Sequence, residues 1–111
     1  MVDIQNLHEI TGDNHEALRS IIHLFMEKMP AQIEEIQGLI DTEDWPALEQ
    51  ACHKLKSSYA IFGAVDIREH LENIERLSAL DPVDRDCIQE EMNTVVRLNP
   101  VIVEELKRII I

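Results

Sequence analysis

The segment ACHKLKSSYAIFGA, residues 51–64, gathers the side chains best suited to chemistry: one His, two Lys and several small neighbours. Imidazole is a nucleophile near neutral pH, and it also serves as base or metal ligand. What His53 can do depends on where it points. On a helical wheel of about 100° per residue, Leu48, Ala51, Leu55, Ser58, Tyr59, Phe62 and Val65 fall opposite His53. That apolar side is the expected core face. Ser57, Ala60 and Ala64 fall within about 40° of His53, one, two and three turns further on. Lys56 lies about 60° to one side and Lys54 about 100° off. The imidazole is therefore expected to face solvent above a shallow platform. Ordinary exposed faces carry Lys, Glu, Arg and Gln instead. Two readings stand at this point: a docking surface around a reactive His, or a surface His among residues that suit a helix.

Other chemistries find less support. No G-x-S-x-G and no glycine-rich phosphate loop occurs. Metal sites in four-helix bundles use Glu-x-x-His pairs. Three residues before His8, His15, His23, His53 and His70 stand Gln5, Gly12, Ser20, Gln50 and Ile67, and no His-x-x-x-His is present. No metal is expected, and the other four histidines read as surface or cap residues.

The elements that must position His53 read as helices throughout. VDIQNLHEI suggests a short leading helix ending at Gly12, and Asp13 is the expected cap of the next. That helix carries Leu18, Ile21, Ile22, Phe25, Met29, Ile33, Ile36 and Ile40 at spacings of three and four, with an expected kink at Pro30. A third begins near Asp44, with Pro46 in its first turn, and runs to about Phe62. Asp66 is the expected cap of the following helix, striped by Ile67, Leu71, Ile74 and Leu77. Asp81 and Pro82 are the expected cap and first residue of the last, which carries Ile88, Met92, Val95, Ile102, Leu106 and Ile109 and should bend at Pro100. The expected fold is all-α: an antiparallel four-helix bundle with a short additional N-terminal helix.

Composition bounds the function classes. At 111 residues the chain suits one domain, 1–111, with a core that must be aliphatic because aromatics are only 4%. A formal charge of −12 would repel a phosphate backbone, so nucleic-acid binding is not expected. No apolar run approaches the roughly 20 residues of a membrane span. MVDIQNLHEI lacks the features of a signal peptide, and Cys52 and Cys87 make no disulfide framework, so the expected compartment is the cytoplasm.

HKLKSSYAIFGA, residues 53–64, resembles the signature of histidine-containing phosphotransfer (HPt) domains, roughly H-x-L-K-G-S-x-x-x-x-G-A. GDNHEALRSIIHLFMEKMP is similar to that family's preceding helix and LENIERL to its following one, so the likeness covers residues 12–80. The resemblance implies that His53 is the phosphorylated nucleophile and that Lys56 neutralises phosphate. It also implies that Glu75 can orient the imidazole, and that Lys54, Ser57, Ala60, Gly63 and Ala64 meet the partner. Ser57 departs from a common glycine, which bears on partner choice. Tyr59 stands where the family is often small, and its wheel angle turns it inward.

The implied activity is a phosphorelay step of a two-component system. A receiver domain phosphorylated on Asp donates to His53, and His53 passes the group to a second receiver. The implied partners are response-regulator receivers and a hybrid sensor kinase; the sequence leaves the oligomeric state open, with a monomer favoured. No ATP site is visible, no cofactor of its own is expected, and Mg²⁺ would belong to the receiver. The alternatives are a helical adaptor without chemistry and, disfavoured by its missing ligand pairs, a metal-binding bundle.

Overall fold

Helices start where a side chain can accept from backbone N–H groups that have no partner within the helix. The computed structural model describes residues 2, 3, 5, 11, 12 and 14–110, and four helices lie wholly within 14–110. They are α1 (His15–Asp41), α2 (Trp45–Ile61), α3 (Val65–Ser78) and α4 (Arg85–Ile109). Asn14, Asp44 and Asp84 cap α1, α2 and α4 by accepting from the N–H groups of Ala17, Ala47 and Cys87. Among the described residues no strand occurs.

Three expected caps are corrected. Asn14 rather than Asp13 caps α1, since its side chain reaches the N–H three residues on; Asp13 itself lies outside the described residues. Ala64 holds the cap position of α3 without a side-chain bond, and Asp66 falls inside the first turn, where a negative charge still suits the helix dipole. The last helix starts after Asp84, not at Asp81 and Pro82; their peptide bond is cis, and both precede the helix. The leading helix expected before Gly12 falls largely outside the described residues. Pro30 and Pro100 sit within α1 and α4, and both helices continue through them.

Connections of three residues between α1 and α2 and between α2 and α3 leave room only for sharp reversals. Each helix packs on two others: α1 on α2 and α4, α3 on α2 and α4. The result is an antiparallel four-helix bundle 48 × 20 × 20 Å in extent. Its core is the expected aliphatic one: Ile22, Ile36, Ile40, Leu48, Leu55, Ile67, Leu71, Ile74, Ile88 and Leu106 are buried. Removing such surfaces from water is the main drive for the fold.

Three of the four aromatics cluster at one level. Phe25 lies edge-on to Tyr59 with ring centroids 5.1 Å apart, and 4.8 Å from Phe62. Tyr59 is fully buried, as its wheel angle implies, and its hydroxyl donates to Asn99 Oδ1 at 2.6 Å. That bond satisfies the one polar atom the ring brings into the interior. Burial pushes the Tyr59 phenol well above its ordinary value.

The turn after α2 depends on Gly63. Its φ is +65°, and the backbone of Asp3 crosses so closely that an added Cβ would lie 2.6 Å from Asp3 Cβ. Asp3 N–H also donates to the Phe62 carbonyl at 2.8 Å. A side chain at position 63 would meet both an unfavourable backbone region and a collision.

Candidate functional site

Successive residues of α2 divide between core and solvent. Leu48, Cys52, Leu55 and Tyr59 are buried at spacings of three and four. That register leaves His53, next to Cys52, on the outside. Its side chain is 70% exposed. Cys52 was not among the expected inward residues, yet it is fully buried, and burial pushes its thiol up to about 12. It is inert as a nucleophile. Val65 shows the converse error: it is 44% exposed because α2 stops at Ile61 and Val65 opens α3.

Helix α3 packs along α2 and supplies the group that holds the imidazole. Glu75 Oε1 lies 3.1 Å from His53 Nδ1, and Glu75 Oε2 accepts from Lys56 Nζ, also at 3.1 Å. A carboxylate accepts and does not donate, so this contact requires the hydrogen on Nδ1. Nε2, the nitrogen furthest from the backbone, then carries the free lone pair. The carboxylate sits in a half-buried seam where its two partners replace lost water: Glu75 is 17% and Lys56 18% exposed. Unshielded, it would be costly there.

The Lys56 ammonium donates to the Glu75 carboxylate rather than standing free above the platform. Lys54 is exposed. Ser57 is exposed too, and its hydroxyl donates back to the His53 carbonyl at 3.0 Å, which keeps the surface beside the imidazole low. Ala60 is half-buried beyond it.

Gly63 and Ala64 leave the expected docking surface. Ala64 is 2% exposed, and Gly63 is taken up by its turn and the crossing of Asp3. The wheel places Ala64 beside His53 only if α2 continues to residue 64, and Gly63 is expected there from the resemblance alone. The helix ends before that. His70 is likewise more than a surface residue, since Nδ1 meets Glu91 Oε2 and ties α3 to α4, with Asn73 donating to the same oxygen.

One residue beside the site escaped the sequence reading. Arg68 shares an open hollow with Lys56, Ser57, Ala60 and Glu72. Its spacing of seven residues before Glu75, two turns of one helix, is the signal that could have found it. Among the described residues no group of three His, Cys, Asp or Glu side chains is arranged to hold a metal ion.

The bundle and its outward, carboxylate-tethered His agree with the comparison against known families. A family model described as the Hpt domain matches residues 20–109. The chain belongs to the Hpt domain family. The matched region takes in α2, α3, α4 and most of α1, and with them His53, Lys56 and Glu75. No curated protein and no solved structure gave a match. As an Hpt domain, the chain is a histidine phosphotransfer module of two-component phosphorelays, a family whose members interact with response-regulator receiver domains. No helix among the described residues of this Hpt domain is long and apolar enough to cross a membrane.

Proposed function

We propose that His53 is the phosphoryl carrier of this Hpt domain, receiving from the aspartyl phosphate of one receiver and delivering to the aspartate of another. The observation that carries the reading is the exposed imidazole with Nδ1 held by Glu75. The Nε2 lone pair attacks phosphorus in line with the bond to the aspartyl oxygen. An N–P bond forms, the P–O bond breaks, and the freed carboxylate takes the electron pair. The Nδ1 hydrogen stays on the ring. Because both nitrogens are then substituted, the ring gains a formal positive charge, which the Glu75 carboxylate offsets.

Delivery reverses these events: the second aspartate attacks phosphorus, the N–P bond breaks, and the neutral imidazole returns with its hydrogen still on Nδ1. In-line transfer needs the two acceptors to approach closely, and the low surface at Ser57 and Ala60 permits it. Mg²⁺ and an acidic pocket on the receiver supply the charge stabilisation of the transferring group. The donor chain is a hybrid sensor kinase, the setting the cytoplasm, and the working unit a monomer.

The test is incubation of the chain with receiver domains phosphorylated on Asp. The expected product is a label on this chain that is lost in acid and retained in base, as an N–P bond requires. Receiver binding without any label would instead favour an adaptor without chemistry.

A further inference from the structure

The seam between α2 and α3 holds two open hollows. Pro46, Glu49, Gln50, His53 and Glu75 line the first. Lys56, Ser57, Ala60, Arg68 and Glu72 line the second, of about 310 Å³. Glu75 borders one and Lys56 the other, so their ion pair lies between the hollows. The first contains the reactive imidazole. The second contains no nucleophile suited to transfer, yet it holds a cation that makes no ion pair among the described residues.

That cation is Arg68. It is half-buried and enters no ion pair among the described residues; Lys54 and Arg76 are unpaired too, but both are exposed and neither lines this hollow. Glu72, four residues on and facing the same hollow, is not bonded to it either. Ser57 and Ala60 stand one and two turns beyond His53, which puts the second hollow on the order of 6–10 Å along α2 from the imidazole. The flank of a partner centred on His53 reaches that far.

We infer that Arg68 is a specificity-determining docking residue that pairs with an acidic side chain flanking the phosphorylated aspartate of the receiver. The inference rests on the phosphorelay reading above and names which receivers the site accepts. Charge decides the occupant. The chain carries a formal −12, so an acidic partner surface is repelled nearly everywhere except where a basic group is free. A guanidinium offers a planar pair of donors that a carboxylate can meet with both oxygens, which fixes register as well as adding attraction. Charges at an interface rim act mainly on association rate and choice of partner. Receivers with Lys, Arg or an apolar residue at the facing position are therefore poor donors.

The test compares wild type, Arg68→Glu and Arg68→Lys as acceptors from a panel of phosphorylated receivers, with the rate followed against acceptor concentration. For the receiver that serves wild type best, Arg68→Glu should raise the half-saturating concentration at least about tenfold and leave the saturating rate unchanged; Arg68→Lys should recover part of the loss. Reversing the facing acidic residue of the receiver should restore Arg68→Glu and not wild type. Phosphoramidate, a small donor that needs no docking, should label all three chains equally, which shows the acceptor site intact. Equal half-saturation for wild type and Arg68→Glu, or a loss confined to the saturating rate, overturns the inference alone. Failure of every receiver to label wild type overturns the phosphorelay reading and this inference with it.

Discussion

His53→Gln abolishes phosphoryl transfer from every receiver while the helical signal and melting temperature stay close to those of wild type. The two halves of this expectation have separate causes. Transfer is lost because glutamine has no nitrogen lone pair able to attack phosphorus; its amide nitrogen is conjugated with the carbonyl. Stability is kept because the side chain is 70% exposed. Exposed substitutions of this kind stay within about 0.5 kcal/mol. The glutamine amide can still donate to Glu75, so the carboxylate is not stranded. Thermal melts by circular dichroism and label incorporation, measured on one preparation, check both halves. Persistent labelling would move the acceptor to another residue, and collapse of the fold would contradict the exposed position of the ring.

Glu75→Ala slows transfer at saturating receiver by roughly 10–100-fold, the equivalent of one charge-assisted hydrogen bond of about 1.5–3 kcal/mol. Without the carboxylate nothing holds the hydrogen on Nδ1. Nε2 is then protonated for much of the time, and the positive charge that develops on the ring goes unopposed. Lys56→Ala has a smaller effect, because the carboxylate remains and loses only its second partner. The decisive comparison is the double variant. If Lys56 acts through Glu75, as their 3.1 Å contact indicates, the double variant is no slower than Glu75→Ala. Single-turnover rates across the four chains give the answer. Factors that multiply would place the Lys56 ammonium on the phosphoryl group instead.

Much of the bundle is legible because its helices carry their own punctuation. Apolar spacings of three and four mark the buried faces of α1, α3 and α4, and they emerge as core at Ile22, Ile74 and Ile88. Start sites are less legible where two equivalent caps stand close together. Asp81 followed by Pro82 satisfies the local rule as well as Asp84 does, and only the path of the chain into α4 decides between them. At the site, the outward direction of His53 follows from α2 alone.

The errors share one cause. Ala64 and Val65 are projected along a helix that stops at Ile61, so one is counted as platform and the other as core face, and each goes the other way. Tertiary neighbours lie beyond any wheel. The angle of Lys56 says that it leaves α2 to one side, but not that Glu75 waits there on α3. Arg68 is legible only as a residue two turns before Glu75 on α3; that it shares a hollow with Lys56 and Ser57 of α2 is a tertiary fact.

The central physical claim is that Glu75 holds the Nδ1 hydrogen so that Nε2 alone meets phosphorus. Nitrogen-15 NMR of the ¹⁵N-labelled full chain, recorded before and after phosphorylation, observes this directly through imidazole shifts and the coupling to ³¹P. The expected result is a His53 ring with hydrogen on Nδ1 in both states and phosphorus on Nε2 in the second. Phosphorus on Nδ1, or a resting ring protonated at Nε2, would contradict it.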